Sequence, residues 1–206
     1  GMSGVSGAHP ELELKAVVPD ATLLRRHLVE SGAEATFRGL MEDRIFDREE
    51  TLKERDEVLR IRTWRPDASP ARAQMAWKGP TRRSPEGYKL RDELEFTIEG
   101  NGSTATAMLG ALGFTVTKSV DRFVEVYRVH DAEVRLEWYP RMDVLVEVEG
   151  TSAAIEAALG VTGLPRAAFE PEPLVEFVRR FEARSGETAA LAVADLKGGR
   201  PQWERR

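Results

Sequence analysis

The sequence predicts an α+β fold: a closed or nearly closed eight-stranded antiparallel β-barrel with helices packed outside. Three observations predict it. About eight segments read as short strands, several alternating apolar and polar residues with period two, at the short spacing of a sheet that closes on itself. Only a few segments show helical spacing, and their apolar stripes need a sheet face to cover. The polar side of several strands carries formal charges where a solvated face more often uses Thr and aromatics.

The elements follow in order. Over 11–18, Leu12, Leu14 and Ala16 oppose Glu11, Glu13 and Lys15, which reads as a strand. Pro19-Asp20 opens a helix that Asp20 caps, with an apolar stripe of Leu23, Leu24, Leu28 and Val29 and an end at Ser31-Gly32. A short strand is expected over 44–47 and a charged turn over 49–56. The segment 58–64 alternates again, Leu59 and Ile61 against Arg60 and Arg62. A strand over 72–78 ends at Gly79-Pro80, and a polar loop covers 81–87. Along 88–98, Leu90, Leu94, Phe96 and Ile98 oppose Lys89, Arg91, Glu93 and Glu95. A helix is expected over 104–112, and strands over 114–117, 123–129, 132–138 and 144–148. A small helix covers 151–159. The last helix starts at Pro171 or Pro173, with Leu174, Val175, Phe177, Val178 and Phe181 at helical spacing. Few large apolar residues follow. The expected division is a flexible segment 1–9, a single domain 10–184 and a loosely attached tail 185–206.

Composition narrows the function. The chain has 206 residues, within reach of one domain. Charged residues make up 32%, above the usual level of about 25%, so the charge needs a use. The net charge of −5 gives no overall basic excess for nucleic acid, so none is expected as a partner. There is no Cys, which removes disulfides, thiolate nucleophiles and Cys-based zinc sites. No apolar run approaches the roughly 18 residues of a membrane span, so no membrane partner is expected. The first residues lack the parts of a signal peptide, and a cytoplasmic location is expected. His9, His27 and His130 do not pair at metal-ligand spacing. No phosphate-binding Gly-rich loop, nucleophile elbow or zinc signature is present.

The charged strand faces admit two readings. One is a sheet with a solvated side. The other turns the charges into a barrel lumen: Glu11, Glu13 and Lys15; Arg60 and Arg62; Lys89, Arg91, Glu93 and Glu95; Arg135 and Glu137; Glu147 and Glu149. Lysine and arginine match phosphate oxygens, arginine through its planar fork. Clustered glutamates hold a hard divalent cation through oxygen. Together they suit a polyphosphate–metal complex.

At this point the residues resemble the CYTH, or triphosphate tunnel metalloenzyme, superfamily, which includes class IV adenylate cyclases, thiamine triphosphatases and inorganic triphosphatases. Glu11-Leu12-Glu13-Leu14-Lys15 matches its E-x-E-x-K hallmark. Later segments match in order. Glu42-Asp43-Arg44-Ile45-Phe46-Asp47 looks like its short strand ending in aromatic-Asp. Leu59-Arg60-Ile61-Arg62 matches L-R-x-R, and Trp77-Lys78-Gly79-Pro80 matches K-G-P. Arg91-Asp92-Glu93-Leu94-Glu95 is similar to R-x-E-x-E, and Val146-Glu147-Val148-Glu149 matches the closing V-E-x-E. The resemblance covers about residues 10–150 and extends to the last helix.

The resemblance implies roles. Glu11, Glu13, Glu147 and Glu149 would hold Mg²⁺ or Mn²⁺. Lys15, Arg60, Arg62 and Lys78 would hold triphosphate oxygens, and Arg91, Glu93 and Glu95 would line the tunnel and position charge or water. Lys15, Arg62, Glu93 and Glu95 are the expected catalytic set. Lys118, Arg122, Arg135 and Glu137 join the substrate-binding set. Two departures stand out. The family's K-x-R before a tyrosine appears here as Lys118, Arg122 and Tyr127, at different spacing. Glu137 stands where the family often has Asp, and Trp138-Tyr139-Pro140-Arg141-Met142 replaces a Gly-rich turn.

The implied function is a metal-dependent phosphohydrolase acting on inorganic, thiamine or nucleoside triphosphate. The alternatives are a class IV-type adenylate cyclase, forming cyclic AMP and pyrophosphate from ATP, and a non-catalytic polyphosphate- or nucleotide-binding module. The expected partner is the small-molecule triphosphate; a homodimer is left open.

Overall fold

The computed structural model describes residues 12–83 and 89–205. Expectations for residues 1–9, for Glu11 and for 84–88 lie outside the described residues; of the loop expected over 81–87, Arg82–Arg83 instead form a short strand. In chain order the elements are β1 (Leu12–Val17), α1 (Ala21–Glu30), β2 (Glu34–Asp47), α2 (Thr51–Glu54), β3 (Val58–Pro66), β4 (Arg72–Lys78) and β5 (Arg82–Arg83). Then come β6 (Lys89–Leu90), β7 (Glu93–Ile98), α3 (Ser103–Ala111), β8 (Thr115–Val129), β9 (Ala132–Trp138), β10 (Leu145–Gly150), α4 (Ser152–Thr162) and α5 (Leu174–Ser185). Eight strands form one antiparallel sheet in the order β1-β10-β9-β8-β2-β3-β4-β7, while β5 and β6 pair separately. The architecture is α+β, as the alternation and the helical stripes require.

Hydrogen bonds do not close the sheet, because β1 and β7 stand at the two ends of the order. The outer edge of β1 is occupied at one point: Lys15 and Glu170 exchange both backbone hydrogen bonds at 2.9 Å. A backbone edge paired in this way offers no template there for another strand. No described helix is long and apolar enough to cross a membrane.

The described residues fall into two compact units, 40–120 and 12–39 with 121–205; β2 and β8 contribute to both. In the second unit, Asp20 caps α1 by accepting from the Leu23 amide at 3.0 Å. Leu24 and Leu28 of α1 are buried, but Leu23 and Val29 are exposed, so the apolar stripe is narrower than its spacing suggests. The α1 helix lies against α4, and α4 lies on β9 and β10. Under them Ala16, Val134, Leu136, Val146 and Val148 are fully buried. Each large side chain removed from water this way stabilises the fold by roughly 1.5–3 kcal/mol. Gly163 ends α4 at a φ of +75°, and a Cβ there would lie 2.3 Å from His27 Nδ1. Only glycine fits, because that histidine nitrogen is 3.1 Å from the Thr162 carbonyl. One charge enters this apolar side. Glu125 is buried, and it is held by the Arg25 fork at 2.9 Å per bond and by the Tyr127 hydroxyl at 3.1 Å.

The segment after α5, expected to be loosely attached, is bonded into this unit. Ala190 and Arg141 exchange backbone hydrogen bonds at 2.8 and 3.0 Å, and the Asp121 amide donates to Leu191 at 2.7 Å. Ala190 and Ala192 are fully or nearly fully buried. Main-chain bonds and small buried residues hold the segment, so it needs no stripe of large apolar side chains.

In the first unit, register fixes the faces. Val58, Arg60 and Arg62 of β3 stand opposite Lys78, Ala76 and Gln74 of β4, and Lys78 and Ala76 stand opposite Glu93 and Glu95 of β7. On the other side Ile61 packs with Phe46 and Leu109, flanked by Leu59, Met75, Ala105 and Phe114. The charged stretch after β2 contains α2, which Asp47 anchors: its carboxylate accepts from the amides of Arg48, Leu52 and Lys53 at 2.7–3.0 Å. Burial would raise the Asp47 carboxyl, but these three donors hold it below its ordinary range.

Three boundaries differ from expectation. β2 begins at Glu34, ten residues early, because its first part is largely exposed and shows no alternation. β8 is one strand, not the two expected over 114–129, since no Gly, Pro or Asn interrupts Lys118–Arg122. β7 begins only at Glu93, and Arg91 and Asp92 break the run. Its Leu94 and Phe96 are exposed, not buried as the alternation implies.

These burial differences predict a contrast in stability. Ile61→Ala should lower the unfolding free energy by about 2–5 kcal/mol, whereas Leu94→Ala should stay within about 0.5 kcal/mol. Urea unfolding of the two variants checks this; equal losses would contradict the packing described.

Candidate functional site

The antiparallel register of the second unit stacks charge on charge. Glu13, Glu149 and Glu133 form one cross-strand row of β1, β10 and β9. Lys15, Glu147 and Arg135 form the next. Glu137 follows two residues along β9, opposite Leu145 and Val124. Alternation puts all of these on the side away from the α4-covered apolar face. Sequence produces this local arrangement through strict period two in E-L-E-L-K, V-R-L-E and V-E-V-E.

One carboxylate oxygen each from Glu13, Glu147 and Glu149 lies within 4.8 Å of the others. Two full charges about 5 Å apart repel by roughly 3 kcal/mol at an effective dielectric of 20, so such a group needs compensation. Cations supply part of it. Lys15 Nζ donates to Glu13 Oε1 at 2.7 Å, and Arg135 Nη2 donates to Glu147 Oε2 at 2.9 Å. The carboxyls respond differently. Burial would raise Glu147, but the charges of Arg135 and then Lys15 override it and hold the group well below the usual range. Glu13 is raised, by the desolvation of its carboxyl and by the Glu147 charge, against the pull of Lys15. Half of the Glu13 side-chain surface is accessible, yet its carboxyl end lies among these charged neighbours. Burial would lower Lys15, but Glu147 and Glu13 outweigh it and raise the group.

Farther along the face the network is sealed. Glu137 is 1% exposed. Its Oε2 accepts from the Tyr139 hydroxyl at 2.9 Å and lies 2.8 Å from Arg122 Nε, an ion pair whose N–H is not aimed along the contact. Its Oε1 lies 3.7 Å from Arg135 Nε, beyond hydrogen-bond reach. Burial, and then the Glu137 charge, push the Tyr139 hydroxyl well above its ordinary range, so it stays a donor.

Of the expected site residues, this unit brings together Glu13, Lys15, Arg122, Arg135, Glu137, Glu147 and Glu149. The donor set, hard carboxylate oxygens in excess over neighbouring cations, fits a divalent metal ion that prefers oxygen. Tyr139 was missed by sequence reasoning. Its signal is the i, i+2 relation to Glu137, visible only once the strand is known to end between them.

The first unit carries its own charged face. Arg60 is buried, and Arg62 makes a two-pronged bond with Asp43, Nε to Oδ1 at 2.7 Å and Nη2 to Oδ2 at 2.9 Å. Asp43 is a residue to which the sequence pattern assigned no role. Lys78, Glu93 and Glu95 share the Arg60 side of the sheet through the register of β4 and β7. Arg91 is placed differently from expectation. Its guanidinium bonds the carbonyls of Gly79 at 2.7 Å and Asp56 at 2.8 Å, so it ties turns together. Lys118 is exposed near the start of β8.

Comparison with known proteins gives a consistent result. A family model described as the CYTH domain matches residues 9–163. No curated protein matches the chain significantly. Among solved structures, a protein from Pyrococcus horikoshii is 22% identical, with 82% of this chain and 98% of that one covered at a TM-score of 0.62. A Vibrio parahaemolyticus protein described as a candidate adenylate cyclase is 17% identical, with 84% and 99% covered and a TM-score of 0.65. A Hippeastrum protein, described as a candidate adenylyl cyclase with a dominant triphosphatase activity, is 19% identical, with 88% and 98% covered and a TM-score of 0.57. At these identities the structural likeness concerns the fold. The family model spans well over half of the chain and includes every residue of the Glu13–Glu147–Glu149 group, and the chain therefore belongs to the CYTH domain family.

Proposed function

We propose that the chain is a divalent-metal-dependent triphosphatase. The observation that carries this reading is the convergence of Glu13, Glu147 and Glu149 beside Lys15 and Arg135 on one strand face. The three glutamates would hold Mg²⁺ or Mn²⁺, and the ion when bound would neutralise phosphate charge and lower the barrier to attack by oxygen. Lys15 and Arg135 would meet the remaining phosphate oxygens. Both already face carboxylates, so an anion with its own metal can exchange for those partners without leaving a buried charge uncompensated. Arg122 is assigned to the same substrate-binding set, with Glu137 as its counter-ion.

Family membership supports extending the assignment to Arg60, Arg62 and Lys78 as phosphate contacts, and to Glu93 and Glu95 as groups that orient water. The reaction is hydrolysis: a water oxygen bonds to the terminal phosphorus, the bridging P–O bond breaks, and the proton leaves to solvent. Catalysis of this kind is mostly positioning and electrostatic stabilisation, and needs no thiol or hydroxyl nucleophile. A solved structure of the same fold is named for a dominant triphosphatase activity and another for adenylate cyclase. The direct assay therefore offers inorganic triphosphate, thiamine triphosphate and ATP with Mg²⁺ or Mn²⁺, and scores phosphate, pyrophosphate and cyclic AMP. Phosphate release is the predicted product; pyrophosphate with cyclic AMP from ATP would replace the hydrolase reading with a cyclase.

Removing a metal-binding carboxylate tests the metal requirement. Glu13→Gln and Glu147→Gln should each lower kcat at least about a hundredfold while keeping the far-UV spectrum of the wild type. Full activity in both variants, or in excess chelator, would contradict the metal-dependent mechanism.

Ligand-induced stabilisation tests the triphosphate. At about 100 times its Kd, tripolyphosphate with Mg²⁺ should add about 2.7 kcal/mol, a rise in melting temperature of roughly 5–10 °C. Orthophosphate should do far less, because it cannot meet all the cations at once. The tripolyphosphate shift should shrink in Arg62→Lys, since an ammonium loses the two-pronged contact. Equal shifts for ortho-, pyro- and tripolyphosphate would mean nonspecific screening.

A further inference from the structure

The family match stops at residue 163, yet the chain beyond it is bonded to the sealed part of the charged face. The turn Trp138-Tyr139-Pro140-Arg141-Met142 is held at four successive residues. Gln202 Nε2 donates to the carbonyls of Tyr139 and Met142, both at 2.8 Å, using both amide hydrogens. The Gln202 amide donates to Pro140 at 3.0 Å, and Arg141 pairs with Ala190 and donates from Nε to the Thr188 carbonyl at 2.8 Å. The same segment grips β8 beside Arg122: the Asp121 amide donates to Leu191, and the Val193 amide donates to Asp121 Oδ2 at 2.9 Å. Both partners of the Arg122–Glu137 ion pair therefore sit next to residues fixed by 188–202.

We propose that Tyr139 is a positioning residue for the phosphate-binding arginines, and that the C-terminal segment 188–202 sets its place. The inference rests on the triphosphatase reading above and concerns the same site. Arg135 stands between two carboxylates. It hydrogen-bonds Glu147 and is only attracted by Glu137, whose Oε1 is buried, has no hydrogen-bond partner and lies 3.7 Å from Arg135 Nε. An oxygen in that state gains by rotating to bond Arg135. The Tyr139 hydroxyl stops the rotation by holding Oε2 toward itself and Arg122. Arg135 is thereby tied at one end only and can turn toward a phosphate oxygen. With the hydroxyl removed, Glu137 clamps Arg135 at the second end, and substrate must break that clamp to bind.

The experiment uses the full chain with tripolyphosphate and Mn²⁺. Tyr139→Phe should raise KM about tenfold and leave kcat within about threefold, because the lost interaction is made in binding. In a Glu137→Gln background the same substitution should change KM less than about twofold, since its effect passes through that carboxylate. A purely structural tyrosine would give effects that multiply undiminished. Gln202→Ala, which removes no side chain of the charged face but frees the Tyr139 and Met142 carbonyls, should raise KM in the same direction with a native-like melting curve. An unchanged KM in Tyr139→Phe overturns the inference. So does full additivity with Glu137→Gln. If Tyr139→Phe does not fold, an unchanged KM in folded Gln202→Ala overturns it. Wild type that neither binds nor hydrolyses tripolyphosphate overturns the triphosphatase reading and this inference with it. An active wild type beside an unchanged Tyr139→Phe overturns the inference alone.

Discussion

Three carboxylates held within 4.8 Å of one another are the constraint on which the rest of the second unit depends. Like charges this close do not persist unless a proton, a fixed cation or a bound ion offsets them. The chain uses fixed cations first. Lys15 and Arg135 flank Glu147 across the β1–β10–β9 ladder, and together they keep it ionised despite burial. Glu13 lacks a matching arginine, and its raised carboxyl is the unbalanced remainder of the group. That imbalance is what a divalent cation would relieve.

Register makes the constraint possible. Because side chains alternate with period two, the pairing that aligns Lys15, Glu147 and Arg135 also sends Ala16, Val146 and Leu136 to the opposite side. A slip of one residue would exchange the faces, placing apolar groups among the charges and burying the glutamates under α4. The apolar packing under α4 is thus what holds the charged rows in line. The aliphatic face does not chemically touch the site, yet it fixes which oxygens meet. Glu170 contributes from the other edge, since its backbone bonds to Lys15 hold the residue that neutralises Glu13.

Much of this was legible in sequence because alternation is a strong signal when the polar positions are charged. Glu13, Lys15, Arg135, Glu137, Glu147 and Glu149 were all named from their strands, and the register brought them together. Contacts that depend on register alone were not legible: nothing in the pattern near Asp43 announces its two-pronged bond to Arg62. The sequence of 185–206 suggested loose attachment because it lacks large apolar residues, but backbone bonds to Asp121, Pro140 and Arg141 leave no side-chain pattern to read. Nor were β2, whose first residues are largely exposed yet extended, and α2, whose anchor is one side-chain carboxylate six residues or fewer upstream, legible in the pattern. Residues were legible where packing imposed a period, and not where a main-chain bond or a lone side-chain pair left none.

The most direct measurement is the titration of the Glu13 carboxyl by NMR in glutamate-labelled protein, without and with Mg²⁺, assigned through Glu13→Gln. The like-charge account predicts that Glu13 titrates above an ordinary glutamate in the metal-free chain, because desolvation and the Glu147 charge both oppose its ionisation. Added Mg²⁺ should then bring its titration down below that of the metal-free chain, since a bound cation favours the carboxylate. A Glu13 that titrates in the ordinary range and does not respond to Mg²⁺ would contradict the proposal that these three electrostatically coupled glutamates would hold a metal ion.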